Sequence, residues 1–297
     1  MRRSWRRLDG GDGVSVATET TRWGLPPRPR VVAAHATGFC KEVLRPFVTE
    51  LTSLMPSGEV AAFDHRGHGG SDPPLSSVDW WDIGRDVLTV AADRRSVEAS
   101  TVVGVGHSAG AAGILLAELL APGTFAAMVL VEPIVFPGPY GRVEDLPLVD
   151  AALKRKTMFE SREAARENFV DKTTFANWDP RALEEYLRHG LRPTPEGYTL
   201  ACAPDIEAEY YRSAGAHRGW DRLGEVTVPV TLVAGDLSDT HDAALLSAMA
   251  SELGSADVVI EVVPGASHFV MMERPVTIAA HTVHRLPPGY GEAAARR

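Results

Sequence analysis

The segment VGVGHSAGAAG, residues 103–113, places a serine between two glycines where an apolar run meets a helix-like run. Its central pentapeptide, GHSAG, matches the pattern G-x-S-x-G. In that pattern the serine occupies a sharp, strained turn, so the residues two positions to either side must be small. The turn raises the hydroxyl above the sheet at the beginning of a helix, where free N–H groups favour developing negative charge. The segment predicts a strand–turn–helix unit with Ser108 as a nucleophile; the alternative is a glycine-rich turn with a capping serine.

Short apolar runs alternate with helical patterns on both sides of this segment. The predicted strands are residues 30–35, 59–64, 101–106, 126–132, 228–235 and 257–263. The predicted helices are residues 42–55, 78–92, 108–120, 242–253 and 275–285. Strands that are apolar on both faces and alternate with helices are typical of an α/β fold. We therefore predict a mostly parallel sheet with helices on both faces.

Residues 137–222 differ from the rest because they are rich in charged and aromatic residues. They have helical patterns broken by Pro and Gly, and no strong strand signal. An insertion between two sheet strands would lie over the strand ends, which is where ligands bind in open parallel sheets. We predict a discontinuous core, residues 1–136 and 223–297, with residues 137–222 as an inserted helical cap and residues 286–297 as a tail.

Composition excludes several function classes. The chain has 297 residues and a formal net charge of -9, which argues against nucleic acid as the main partner. No segment approaches the ~18 consecutive apolar residues that span a membrane, so no membrane partner is expected. The basic residues 1–7 precede no apolar run of signal-peptide length, and we interpret them as a frayed, solvated end. Cys40 and Cys202 provide neither a disulfide framework nor a zinc-site spacing, so we expect a reducing, cytoplasmic location.

A nucleophilic serine needs a general base and a group that orients the base. On an α/β sheet the expected chain order is serine, acid, histidine. His268, in GASHF, follows the last predicted strand and has the expected position in that order. The alternative for His268 is a loop histidine bonded to backbone. The competing histidines are His35, His65, His68, His107, His189, His217, His241, His281 and His284.

Three carboxylates are candidates for the acid. Asp239 and Asp236 lie in AGDLSD, after the strand that follows the cap. Glu132 ends the strand next to the nucleophile strand in the predicted order. A carboxylate at either strand end could reach the same imidazole from a different side, so the pattern leaves all three open.

Stabilising the oxyanion requires backbone N–H groups aimed at the substrate oxygen. One donor is expected from Ala109, the residue after the nucleophile. The other is expected from the loop after the first predicted strand, where Gly38 lets the backbone approach closely and Thr37, Gly38 or Phe39 could donate. The alternative is a plain strand-to-helix turn.

These motifs together resemble the α/β-hydrolase superfamily, in its capped branch of esterases, C–C hydrolases and non-metal haloperoxidase-like enzymes. The resemblance rests on HATGF from His35, FDHRGHGGS from Phe63, GHSAG around Ser108, the acid after the next-to-last core strand, and GASHF around His268. These motifs span residues 30 to 285. The resemblance implies that Asp64 and Arg66 order the loops beneath the site without taking part in a chemical step.

Two positions depart from the family pattern. Ala36 stands where the family often has glycine in the oxyanion loop. Ser238 stands where the family's aspartate usually lies, three places after glycine. The acid is therefore either displaced to Asp239 or moved to Glu132.

The sequence predicts a serine hydrolase that cleaves an ester or thioester of a small to medium acyl substrate through an acyl-serine intermediate. No cofactor and no metal are expected, the partner is the acyl substrate, and the oligomeric state is left open. A C–C bond hydrolase, a lactonase or an acyl transferase would use the same residues. A non-catalytic ligand-binding protein is the alternative of another class. Some aromatic residues of the cap are expected to line the substrate pocket.

Overall fold

A computed structural model describes residues 1–10, 12–26, 28–93 and 101–287. The strands are β1 (Arg2–Asp9), β2 (Ser15–Trp23), β3 (Arg30–Ala34), β4 (Gly58–Phe63), β5 (Val102–His107), β6 (Ala127–Val131), β7 (Met158–Phe159), β8 (Leu191–Thr194), β9 (Gly197–Leu200), β10 (Val230–Gly235) and β11 (Val258–Val263). The α-helices are α1 (Arg45–Leu54), α2 (Trp80–Ala92), α3 (Ala109–Leu120), α4 (Pro147–Leu153), α5 (Arg162–Val170), α6 (Pro180–His189), α7 (Pro204–Ser213), α8 (Ala243–Glu252), α9 (Val270–Glu273) and α10 (Pro275–His284).

Eight strands form one sheet in the order β1–β2–β4–β3–β5–β6–β10–β11. The strands from β4 to β11 in this order pair in parallel, whereas β1, β2 and β4 pair antiparallel. The predicted mostly parallel sheet is therefore confirmed. Because β5 lies between β3 and β6, the loops that follow these three strands meet at one edge of the sheet.

Each central strand packs helices against both of its faces, because its side chains alternate between two apolar clusters. In β3, Val31 and Ala33 belong to the cluster that includes α1 and α10 residues. The next residues, Val32 and Ala34, belong to the cluster that includes α2, α3 and α8 residues. The predicted placement of helices on both faces is confirmed.

The N-terminal residues form a strand, so the prediction of a frayed end at residues 1–7 is wrong. β1 pairs along its whole length with β2 at the edge of the sheet. The indole Nε1 of Trp5 donates to the Glu19 carboxylate at 2.8 Å. An edge strand can carry charged residues on its exposed faces, so it lacks the apolar pattern that identifies a buried strand.

The region predicted as a helical cap contains α4 to α7, but it also contains a three-stranded antiparallel sheet in the order β7–β9–β8. The prediction that this region contains no strands is therefore wrong. These strands have two to four residues, too few for a periodic pattern to emerge. The boundaries at residues 137 and 222 stay a prediction, and residues 288–297 of the predicted tail lie outside the described residues. Within the described ranges, no helix is both long and apolar enough to cross a membrane.

Candidate active site

Ser108 lies at the turn between β5 and α3 with a left-handed φ of 56° and ψ of −116°. A non-glycine residue holds such a conformation only when its surroundings fix it. The flanking glycines show why the turn needs small residues. A Cβ on Gly110 would lie 2.4 Å from the carbonyl oxygen of Ala34, and one on Gly106 would lie 2.4 Å from that of Gly110. The close approach of β3, β5 and α3 therefore dictates the G-x-S-x-G spacing.

His268 faces this serine from the loop between β11 and α9. Its Nε2 lies 3.1 Å from Ser108 Oγ. The loop is fixed locally because Ser267 donates to the Glu273 carboxylate through its backbone N–H and its hydroxyl, at 2.8 Å and 2.6 Å. The structure thus brings together the two residues that sequence reasoning paired across the chain.

His107, the residue before Ser108, also holds this loop. Its Nε2 lies 2.8 Å from the backbone oxygen of His268. Burial lowers the pKa of His107 to about 3, so the ring is neutral near pH 7 and donates its proton from Nε2 to that carbonyl. The end of β5 and the loop that carries His268 are therefore joined by a hydrogen bond that no local sequence pattern predicted.

Of the three candidate acids, the structure places only Glu132 against the imidazole. Glu132 Oε2 lies 3.0 Å from His268 Nδ1, and the carboxylate is fully buried. Asp239 is exposed, and its Oδ1 accepts a hydrogen bond from the Thr240 hydroxyl. Asp236 is also exposed and accepts from the backbone N–H of Gly265 at 2.7 Å. Neither aspartate is the partner of His268, because the loop after β10 turns both side chains toward other groups.

The Glu132 carboxylate has three further donors. Ser238 Oγ and His241 Nδ1 lie 2.7 Å and 2.9 Å from Oε2, and the backbone N–H of Gly235 donates to Oε1 at 2.9 Å. Burial alone would raise the pKa of Glu132, but hydrogen bonds from His241 and His268 more than offset it and hold the pKa well below its ordinary value. Glu132 is therefore an anion throughout the neutral range.

Sequence reasoning missed both side chains that support Glu132 from the loop after β10. Ser238, at the position that the family's aspartate usually takes, donates to the Glu132 carboxylate. His241 was recognisable only as a residue before a helix. Side-chain donor atoms of Glu132, His241 and His268 all lie within 4.8 Å of one another, a spacing suited to a metal ion. Hydrogen bonds to Glu132 Oε2 account for this proximity.

The predicted oxyanion donors are backbone N–H groups in two places, at the beginning of α3 and in the loop after β3. Ala109 begins α3, so its N–H has no acceptor within the helix and lies next to Ser108. Gly38 has the expected open conformation, with φ of 83°, but its N–H donates to His68 Nε2 at 2.9 Å. The Gly38 N–H is thus paired with His68 in this structure, and its donation to a substrate oxygen stays a prediction. The Phe39 N–H makes only a long 3.4 Å contact with the Ala36 oxygen and stays the predicted second donor.

His68 can accept a hydrogen bond from the Gly38 N–H because its ring is neutral. Burial lowers the pKa of His68 to about 3, and its Nδ1 lies 3.0 Å from the Arg66 carbonyl oxygen, to which it donates. This leaves Nε2 as an acceptor. The loop after β4 thus fixes the loop after β3. The resemblance assigns the ordering of these loops to Asp64 and Arg66, and in the structure His68 contributes to it as well.

Asp64 and Arg66 bind the loops beneath the site. Asp64 accepts from the Lys41 backbone N–H at 2.7 Å and from the Gly70 N–H at 2.8 Å. Arg66 makes two hydrogen bonds with the Asp86 carboxylate, at 2.8 Å and 2.9 Å. None of these hydrogen bonds involves Ser108 or His268.

Aromatic side chains from the region between β6 and β10, together with Phe269 just before α9, lie against the ring of Phe39. The Phe39 ring lies 5.0 Å from Trp178, 5.4 Å from Tyr186 and 6.0 Å from Phe269, measured between ring centroids. Tyr186 is further joined to the loop by a 3.4 Å contact from its hydroxyl to the Gly38 oxygen. The region between β6 and β10 therefore contacts the candidate site directly.

The family model described as the alpha/beta hydrolase family matches residues 31–281. The chain belongs to the alpha/beta hydrolase family. This alpha/beta hydrolase is 28% identical over 215 residues to the "Type I acyl-CoA thioesterase mpaH" of Penicillium roqueforti, a match that covers 68% of this chain and 46% of that protein. The chain thus spans about half the length of the curated relatives it matches.

Solved structures with the same architecture include E-2-(acetamidomethylene)succinate hydrolase, with a TM-score of 0.76 and 24% identity over 95% of this chain and 98% of that one. The thioesterase domain from the curacin biosynthetic pathway has a TM-score of 0.76 and 17% identity over 95% of this chain and 100% of that one. At these identities the two likenesses show the fold. Together with the family match, they confirm the predicted superfamily.

Proposed function

We propose that this alpha/beta hydrolase cleaves an ester or thioester of a small to medium acyl substrate through an acyl-serine intermediate. One observation carries the proposal. Ser108 Oγ, the His268 ring and the Glu132 carboxylate form a continuous hydrogen-bonded series, with distances of 3.1 Å and 3.0 Å. The similarity to an acyl-CoA thioesterase favours thioesters among the possible substrates.

Acylation begins when Ser108 Oγ attacks the carbonyl carbon and its proton moves to His268 Nε2. Glu132 holds the Nδ1–H tautomer and stabilises the imidazolium that forms. The tetrahedral intermediate then collapses, its bond to the leaving oxygen or sulfur breaks, and His268 returns the proton to the leaving group. Water, deprotonated by His268, attacks the acyl-serine and releases the carboxylic acid while Ser108 regains its proton.

The developing oxyanion is stabilised at the beginning of α3. The Ala109 N–H lies at the N-terminal end of this 12-residue helix, where unpaired amides and the helix dipole favour negative charge. The Phe39 N–H is the second donor. Each such donor contributes about 3 kcal/mol to the transition state. The proposed chemistry uses protein groups alone.

Covalent labelling tests the nucleophile directly. A fluorophosphonate should add one label to the wild type, and Ser108→Ala should abolish both the label and turnover of acyl thioesters and p-nitrophenyl esters of graded chain length. Ser251→Ala is a matched control, because Ser251 is exposed on α8 and its hydroxyl donates to the Ser247 oxygen. If the folded wild type takes no label, the result would contradict the proposed enzymatic function and favour a non-catalytic ligand-binding protein. Activity of Ser108→Ala within about tenfold of wild type would refute the nucleophile, since triad losses are orders of magnitude.

A further inference from the structure

His241 is buried against the Glu132 carboxylate, whose Oε2 also contacts His268. It lies in the loop between β10 and α8, and its side chain is fully buried. Its Nδ1 lies 2.9 Å from Glu132 Oε2, and its Nε2 lies 2.9 Å from the backbone oxygen of Pro133. Phe136 covers the ring, with 5.5 Å between ring centroids.

Both ring nitrogens of His241 therefore face oxygen atoms that can only accept. A neutral imidazole has one N–H, which would leave one of the two contacts without a proton. An imidazolium donates in both. The Glu132 anion supplies the opposite charge that a buried cation requires.

The charged and titratable groups around His241 and Glu132 come from four parts of the chain. Glu132 comes from the end of β6, His268 from the loop after β11, and His107, a neutral ring, from the end of β5. On its own loop, His241 is flanked by Asp239 and Asp242, whose side chains are exposed to solvent. Ser238 contributes a neutral hydroxyl. Of these groups, His268 is the one that gains a proton in the proposed mechanism.

We propose that His241 is a positioning residue, an imidazolium held between Glu132 and the Pro133 carbonyl, that fixes the carboxylate against His268 and keeps His268 unprotonated to lower pH. The inference rests on the proposed function, in which His268 is the general base. Two donors, His241 and Ser238, bind the Oε2 atom that also accepts from His268, so the carboxylate cannot rotate away. The cation opposes a second positive charge on His268, because like charges this close disfavour each other.

Two substitutions separate the hydrogen bond from the charge. His241→Asn keeps an N–H donor near the Nδ1 position and removes the charge, whereas His241→Phe keeps a ring and removes both donors. His281→Asn is a matched control, because His281 Nε2 lies 3.7 Å from the Glu261 carboxylate in a histidine–glutamate pair outside the site.

The pH profile of kcat/KM gives the first readout. In His241→Asn the acidic limb should move up by about one pH unit, so that activity below the limb falls roughly tenfold while the plateau stays within about threefold. His241→Phe should show the same shift and a plateau at least about tenfold lower. His281→Asn should match the wild type. If the kcat/KM profile of His241→Asn has a lower plateau but an acidic limb at the wild-type pH, His241 contributes only packing, and the proposal is overturned.

Nitrogen NMR of the histidine rings gives a second readout that needs no turnover. Both ring nitrogens of His241 in the wild type should carry protons at neutral pH, with the signals assigned by their loss in His241→Asn, or in His241→Phe if the first variant does not fold. A single protonated nitrogen would overturn the proposal. If the wild type hydrolyses no ester or thioester, the proposed function fails, and the ring spectrum alone decides the state of His241.

Discussion

Glu132 has a left-handed backbone conformation, with φ of 51°, at the end of β6. Such a conformation is costly for a residue with a Cβ and persists only where its surroundings fix it. Here four donors fix it: the His268 and His241 rings, the Ser238 hydroxyl and the Gly235 N–H. The strain and the hydrogen bonds together place one carboxylate oxygen in line with the His268 ring.

Replacing this carboxylate should separate the candidate acids. Glu132→Gln should lower kcat by about 10³-fold or more, because the amide neither stabilises the imidazolium nor enforces its tautomer. Asp239→Asn, on an exposed side chain, should stay within about twofold. Steady-state kinetics of the two purified variants against the same ester checks this, with circular dichroism to verify folding. Equal mild effects would mean that neither carboxylate serves His268.

The low pKa of Glu132 also gives a sign to the pH dependence of stability. A carboxyl group whose pKa is lowered on folding stabilises the protein above its unfolded pKa, and this contribution is lost as the pH falls through the folded pKa. The stabilisation that the wild type gains over Glu132→Gln should therefore be larger at pH 5 than at pH 3, because below about pH 4 the carboxyl group of the unfolded chain is protonated. Urea titrations at several pH values measure it. A difference that grew on acidification would contradict the assignment.

A site residue could be predicted where a tight backbone turn dictates its neighbours in the sequence. It could not be predicted where its role depends on which distant side chains lie within hydrogen-bonding distance. Ser108 was recognisable because its turn admits only small flanking residues. The carboxylate partner of His268 was not, because carboxylates follow both β6 and β10 and their distance to His268 depends on how each loop turns. His241 carries no local signal, since its partners come from β6 and the residue that follows Glu132.

At the scale of elements, two loops are joined beside the proposed oxyanion site. The loop after β3 carries Phe39, and the loop after β4 carries His68, which accepts the Gly38 N–H. Sequence patterns identified both strands, because β3 and β4 are buried along their length. They could not identify the hydrogen bond between the loops, because it joins residues that lie 30 positions apart.

Removing that hydrogen bond should loosen the loop that carries Phe39. His68→Ala should lower kcat by about tenfold to a hundredfold with a smaller change in KM, because a misdirected donor weakens the transition state more than the ground state. His68→Gln should recover part of the loss, since its amide oxygen can accept from Gly38. Kinetics with one ester measures this, with His281→Ala as the control. A His68→Ala variant as active as the wild type would show that the loop holds its shape without this acceptor.

At the scale of the whole molecule, sequence patterns predicted the main sheet well and the region between β6 and β10 poorly. Burial on both faces gives the central strands continuous apolar runs, so the α/β fold followed from pattern alone. In residues 137–222, stability depends instead on polar and aromatic contacts between distant segments. An example is Arg155, which binds Glu207 and donates to the Tyr186 hydroxyl at 2.8 Å. Contacts of this kind have no period in the sequence.

Arg155 should therefore stabilise the whole molecule far more than an exposed arginine does. Both it and Glu207 are largely buried, with 17% and 8% of their side chains exposed, so Arg155→Met leaves a buried carboxylate without its counter-ion. We expect a loss of about 3 kcal/mol in unfolding free energy, and recovery of more than half in the double variant Arg155→Met/Glu207→Gln. Arg142, half-exposed and paired with Glu209, is the matched control, and Arg142→Met should cost less than about 1 kcal/mol. Urea unfolding of the four proteins measures these differences. Equal losses for the two arginines would show that the buried pair contributes no more than a surface one, and that aromatic packing around Phe39 holds this region to the sheet.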